Sequence, residues 1–181
     1  MDLRSATRAD AQAIADLHAE SWRRHYRGAY DNDFLDGDVF ADRRAVWAER
    51  LADIDPNRAR TILAVDGPTL VGFAHVIFDD DPTWGALVDN LHVTFDHKRG
   101  GVGTQLMVAS ARVVIERPRR TGIYLWALAM NTAGRAFYRA IGGQEAGEEP
   151  SELEGDGTAV AVRYSWPDPV ALVSPGAGRP G

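Results

Sequence analysis

Between residues 85 and 130 the sequence changes its hydrophobic period three times, and this stretch restricts the fold more than any other. "GALVDNLHVTF" carries β-branched and aromatic residues and reads as a strand. It runs into "DHKRGGVGTQLM", where a basic pair and a broken run of glycines precede an apolar series at helical spacing: Leu106, Met107, Ser110, Val113 and Val114. Pro118 closes that helix. "GIYLWALAM" follows as an unbroken apolar strand, the kind that is buried on both faces of a sheet. Strand, glycine turn, helix and buried strand in this order predict an α/β domain.

The flanking segments fit around that unit. A short extended piece at residues 3–5 leads to Asp10, read as the N-terminal cap of a helix over about 10–26 with Ile14, Leu17, Ser21 and Trp22 at helical spacing. "FADRRAVWAERLADI" resumes the helical period and ends before Pro56. "ARTILAVDGPTLVGFAHVIFDD" reads as a hairpin turning at Asp66-Gly67-Pro68, and "DDDPTW" as a second turn. Asn131 opens a helix over 132–141 that Gly142-Gly143 stops, and "GTAVAVRYSW" is the last strand. Residues 1–167 are expected to form a single domain. Residues 168–181, rich in Pro and Gly, are expected to be a loose tail.

A chain of 181 residues is long enough for one well-buried core and short for two. A net charge of −6 argues against a broad nucleic-acid-binding surface. No apolar run approaches a membrane span, and the polar start lacks the pattern of a signal peptide, so the expected location is the cytoplasm. With no Cys, disulfides, thiolate metal sites and cysteine nucleophiles are excluded. His18, His75 and Asp89 show no tight spacing that would mark a metal site.

The glycine stretch fails two nucleotide patterns. Thr104 and Gln105 stand where a mononucleotide loop needs Lys and then Ser or Thr, and Leu106 stands where a dinucleotide fingerprint needs its third Gly. What remains is a strand entering "KRGGVG" and then a helix. Consecutive N–H groups in such a turn, at the positive end of a helix dipole, form a concave anion site suited to a pyrophosphate. A tight turn that binds nothing is the competing reading.

"LHVTFDHKRGGVGTQL" and, about thirty residues on, "NTAGRAFYRAIGG" together resemble the GNAT superfamily of N-acetyltransferases. The first segment is similar to that family's pyrophosphate-binding motif, with Lys98, Gly101 and Gly103 at its marked positions; Lys98 stands where Arg or Gln is usual, with Arg99 beside it. The second is similar to the family's Asn-x-x-Ala-x-x-Phe-Tyr segment, carried by Asn131, Gly134, Phe137 and Tyr138, with Gly134 in the place of Ala. Gly134 is expected to leave room beside the Tyr138 ring. The stretches "SWRRHYRGAY" and "VRYSWPD" are also similar to bacterial members.

The resemblance implies a mixed, mostly antiparallel sheet of six to seven strands flanked by about four helices, with the parallel middle strands splayed where the cofactor enters. It implies acetyl-CoA as co-substrate and direct transfer of the acetyl group to a primary amine of a small molecule, peptide or protein. Leu91, His92, Val93 and Thr94 would hold the pantetheine, and Lys98, Arg99, Gly100, Gly101, Val102, Gly103 and Thr104 the pyrophosphate. Tyr138 would be the general acid. Asn131 caps its helix and would reach the pantetheine; Phe137 would also contact the cofactor, although it falls with Ala133, Ala136, Ala140 and Ile141 on a stripe that reads as core. Many members carry a Glu where this chain has Leu87, so the base is open: Asp89, on the strand face of Leu87 and Val93, or His92 on the other face, acting through water. Glu20, His18, His25 and His75 rest on position alone. Trp22, Tyr26, Tyr30 and Trp84 would line the acceptor cleft, with Asp79 to Asp81 favouring a cation; core packing and a solvated turn are the competing readings. An acyl-CoA-binding module without catalysis is the alternative function. Members are often homodimers, and oligomeric state is left open.

Overall fold

The computed structural model describes residues 1–119, 121–151 and 159–174. Within them the strands are β1 (Asp2–Ser5), β2 (Ala59–Asp66), β3 (Thr69–Asp81), β4 (Gly85–Val93), β5 (Ile123–Leu128), β6 (Gln144–Pro150) and β7 (Val160–Trp166). They form one open sheet in the spatial order β1-β2-β3-β4-β5-β7-β6. The helices are α1 (Ala11–His25), α2 (Asn32–Asp36), α3 (Val39–Arg50), α4 (Val102–Ile115), α5 (Thr132–Ala140) and α6 (Val170–Val173). Neighbouring strands are antiparallel except β4 and β5, which makes the sheet the mixed one that the sequence predicts.

A parallel pair needs a crossover, and α4 supplies it. Its Leu106, Met107, Ala111 and Val114 are buried against one face of the sheet, with Val76, Ile123, Leu125 and Tyr164 among their neighbours. On the other face α1 and α3 bring Ile14, Ala15, Trp47 and Leu51 over Leu63 and Phe73. The alternation of Ile62 and Ala64 with Leu63 along β2 assigns the two layers, as a period of two requires. Trp47 and Phe73 are fully buried, so truncating either to Ala is expected to cost on the order of 3–5 kcal/mol.

Two features position the site. β4 and β5 pair only at Ala86↔Ile123 and Leu87↔Tyr124, and beyond Leu87 the β5-facing edge of β4 has no partner strand. On its other edge β4 pairs with β3 at Val76↔Val88 and next at His75↔Asn90, which leaves Asp89 as the extra residue of a β-bulge. A bulge bends its strand and strengthens the local twist.

Several local expectations are corrected. Asp10 does not cap α1: its carboxylate accepts from the Thr7 N–H and hydroxyl and pairs with Arg4 at 2.7 Å. Residues 144–150 form an additional edge strand, held to β7. The expected tail begins instead with α6, whose Leu172 is buried in the α4 core cluster; residues 175–181 lie outside the described residues, as do residues 157 and 158 of the expected last strand. On α5, Ala133, Ala136 and Ala140 are exposed, and the buried residue is Tyr138.

Candidate functional site

The opening between β4 and β5 is built by subtraction. Backbone N–H and C=O groups on the β5-facing edge of β4 past Leu87 lose their ladder partners there and need others. Leu91 and Val93 turn their side chains into the α4 layer. The Thr94 N–H donates to the Val71 carbonyl at 2.9 Å, the last β3 contact before the chain leaves the sheet.

The glycine turn follows. Gly101 has φ +80°, and a β-carbon there would meet nothing within 4 Å. α4 starts on it with no side-chain cap, so the N–H groups of Val102, Gly103 and Thr104 lack intrahelical acceptors by position. Arg99 is also left-handed, with φ 65°, and its exposed guanidinium has no partner among the described residues. Lys98 is less free: its Nζ stands 2.6 Å from His25 Nε2, and burial together with Arg24 pushes its pKa down. Val102 is buried and packs toward Gly72, so only its main chain faces the turn. Gly103 has a packing reason of its own, since a β-carbon there would come 3.2 Å from the Phe137 ring. Open space, unpaired amides and a free guanidinium fit a phosphate-bearing ligand.

α5 docks on this turn through Phe137. Asn131 caps it, its Oδ1 accepting from the Gly134 N–H at 2.9 Å. A β-carbon on Gly134 would meet the Asn131 amide at 2.5 Å, so the space left by Gly134 is taken by the cap rather than by the Tyr138 ring. Tyr138 packs against Tyr164 at 5.5 Å and Trp166 at 6.4 Å. Burial, then the phenols of Tyr26 and Tyr164, hold its pKa well above the usual value. Its hydroxyl has no hydrogen-bond partner among the described residues.

The bulge rearranges the two base candidates. Asp89 accepts from Arg50 Nη1 of α3 at 2.7 Å, and His92 Nδ1 lies 2.8 Å from Ser21 Oγ of α1. Both therefore face the α1/α3 layer, which corrects the assignment to opposite faces: the extra residue shifts the alternation by one. The His92 ring sits 4.5 Å from His18 and 5.3 Å from Phe73, and burial pushes its pKa down to about 3. Tyr26, stacked on Trp22 at 5.3 Å, has its pKa pushed up to about 12 by burial and then by the Asp89 carboxylate. Tyr30 completes that aromatic group, 4.6 Å from Trp22.

Other candidates are engaged elsewhere. His18 is fully buried and accepts from Trp47 Nε1, and burial holds it neutral. His75 lies 2.8 Å from Thr61 Oγ1, and Glu20 pairs with Arg24. Trp84 sits at the β3–β4 turn, where the Arg163 guanidinium lies over it and over Trp126. Asp79 pairs with Arg117, Asp80 accepts from the Tyr124 hydroxyl, and Asp81 accepts the N–H groups of Thr83 and Trp84. Asp81 serves the turn, while Asp79 and Asp80 tie it to Arg117 and to β5. Among the described residues no group of His, Asp or Glu is arranged to hold a metal ion.

The sequence pattern described as the acetyltransferase (GNAT) family matches residues 12–142, more than half of the chain. The chain belongs to the GNAT acetyltransferase family. No curated protein matches it in sequence. The PaiA N-acetyltransferase of Thermoplasma acidophilum, solved with coenzyme A, superposes with a TM-score of 0.72 at 16% identity, over 91% of this chain and 98% of that one. The ribosomal-protein-alanine N-acetyltransferase of Brucella melitensis gives 0.68 at 19% identity, over 92% and 99%. A chimera of the spermidine N-acetyltransferase SpeG of Vibrio cholerae with hSSAT gives 0.68 at 19%, over 95% and 99%. At such identities the likeness concerns the fold. Arg50 and Asn90 meet at the Asp89 bulge beside the β4–β5 opening, a contact that the sequence did not mark. Arg50 follows Trp47 by one helical turn, which signals a stacked stem and nothing about its reach to β4.

Proposed function

We propose that this acetyltransferase transfers an acetyl group from acetyl-CoA to a primary amine by direct attack. The observation that carries the proposal is the fork of β4 from β5 after Leu87, with the uncapped start of α4 at the end of the same strand. The pantetheine would lie along the open edge from Val88 to Thr94. The pyrophosphate would rest on the amides of Gly101 to Thr104, with Arg99 the available cation and Lys98 in support from beside His25.

The donor supplies an activated thioester carbonyl and a thiolate leaving group. Main-chain N–H groups fixed in β4 face the reacting carbonyl and need little reorganisation as charge develops on its oxygen. An alkyl ammonium with a pKa near 10 must lose a proton before it attacks. Asp89 takes that proton through water, while His92, held neutral, orients water with its second ring nitrogen. Tyr138 keeps its proton because burial raises its pKa; it gives that proton to the departing sulfur and is reprotonated by the proton that the former amine nitrogen sheds as the amide forms. The same dry surroundings raise the basicity of the thiolate, which keeps the transfer matched. Trp22, Tyr26 and Tyr30 form the apolar wall of the acceptor side.

Two observations favour a second reading, a non-catalytic acyl-CoA-binding module: Leu87 stands at the fork, and Asp89 is engaged by Arg50. Calorimetry with CoA and then with acetyl-CoA tests the donor assignment. Micromolar binding that a bulky residue at Gly101 abolishes is expected; wild-type affinity in Gly101→Val would refute the pyrophosphate site. A homodimer in the cytoplasm fits the family's habits and the cysteine-free sequence.

A further inference from the structure

We propose that Arg50 is a positioning residue for acyl transfer: by gripping the Asp89–Asn90 bulge it holds the β4–β5 opening in its donor-accepting form. The inference rests on the acetyltransferase reading above and concerns a residue that touches neither donor nor acceptor.

The geometry is specific. Arg50 Nη1 donates to Asp89 Oδ2 at 2.7 Å and to Asn90 Oδ1 at 2.9 Å. Consecutive side chains in a regular strand point to opposite faces, so one nitrogen reaches both only because Asp89 is bulged. The bulge lies two residues past Leu87, the last β4 residue paired with β5. The bend that turns β4 away from β5 and the grip of Arg50 therefore fall on the same two residues. A relaxed, unbulged β4 would slip by one residue against β3 or β5, carrying the Leu91–Thr94 edge out of place.

Arg50 is itself held. Its guanidinium lies 5.3 Å over the ring of Trp47, which is fully buried and donates its indole N–H to His18. The Arg50 and Asp89 side chains are 32% and 27% exposed, so the pair is partly shielded from solvent. His75, opposite Asn90 on β3, does not compete for Asp89: burial first, and then Arg50, push its pKa down to about 4, so it is neutral near pH 7. Only Asp89 Oδ2 is used by Arg50. Oδ1 has no hydrogen-bond partner among the described residues and is the oxygen left for the acceptor's proton.

The test compares Arg50→Met with Arg50→Lys in the full chain. A Lys ammonium keeps the charge and can donate to both oxygens, whereas Met keeps the stem over Trp47 and loses both bonds. Without any donor, amide hydrogen exchange at residues 88–92 is expected to speed up at least tenfold in Arg50→Met, with β2 and β7 unchanged. The CoA dissociation constant and the KM for acetyl-CoA are expected to rise about tenfold, and Arg50→Lys to recover most of both. Wild-type exchange at 88–92 in Arg50→Met would overturn the proposal, as would faster exchange spread evenly over all strands. If Arg50→Met does not fold, Asn90→Ala removes half of the grip and must show a smaller change at the same amides. A wild-type protein without turnover would defeat the acetyltransferase reading alone, since exchange and CoA binding still decide the role of Arg50.

Discussion

The Phe137 ring lies where a β-carbon on Gly103 would approach it to 3.2 Å, so the third glycine of the turn is fixed by the contact between α4 and α5. Gly101 is fixed differently, by a φ of +80° with open space around it. Gly103→Ala is expected to lose about 1–3 kcal/mol to overpacking against Phe137, offset in part by about 1 kcal/mol of helix propensity within α4, and Gly101→Ala to lose about 1–2 kcal/mol through backbone strain. A double-mutant cycle in urea separates the two causes. Phe137→Leu should relieve much of the Gly103→Ala loss and none of the Gly101→Ala loss; equal relief of both would contradict the assignment.

Tyr138→Phe is expected to lower kcat about a hundredfold, the usual reach of a general acid, with the KM for acetyl-CoA nearly unchanged. Because burial raises its pKa, the phenol keeps its proton through the alkaline range, and the wild-type kcat should show no loss from its ionisation below about pH 10. A large loss of donor affinity in the variant would make Tyr138 a packing residue.

α6 is read as part of the domain. Leu172 is 5% exposed in the cluster that holds Met107, Val114 and Trp166. Leu172→Ala is expected to cost about 2–4 kcal/mol, seen as a lower urea midpoint at constant slope. An unchanged midpoint would return this segment to the status of a tail.

His75 shares with the buried His18 and His92 an acid limit of the fold. Its folded pKa, about 4, lies below the value near 6.5 of the unfolded chain, so between these the unfolded state binds more protons. Its stabilising effect is complete above about pH 6.5 and is lost as pH falls towards 4. His75→Asn should reduce the stability–pH slope in that window by its own share and leave the shares of His18 and His92; an unaltered slope would leave the limit to those two. Asp10, held below the usual carboxylate range by Arg4, acts only at lower pH.

Much of this was readable from residues. The strand–turn–helix–strand unit stands where its periods put it, because strong apolar alternation survives tertiary context. β6 was missed, since "QEAGEEP" holds a Gly, a Pro and three Glu; β7 recruits it, and Glu145 bonds Arg135, Arg139 and the Tyr164 hydroxyl. α6 was missed because Pro169 reads as a breaker, while a proline with helical φ and ψ immediately before Val170 is compatible with a helix start. The bulge at Asp89 leaves no mark on the local pattern. It arises from the registers of β4 with β3 and β5 together, and with it went the face of Asp89, its partner Arg50, and the joint placement of Asp89 and His92.

The central claim is that the fork of β4 from β5 serves acyl transfer to an amine. It is tested most directly by measuring free CoA released from acetyl-CoA with a panel of primary amines, from polyamines to peptide N-termini. At least one amine is expected to raise release well above the hydrolysis background, and Tyr138→Phe to remove most of that gain. Tight acetyl-CoA binding with no amine-dependent release across the panel would contradict the account and leave an acyl-CoA-binding module.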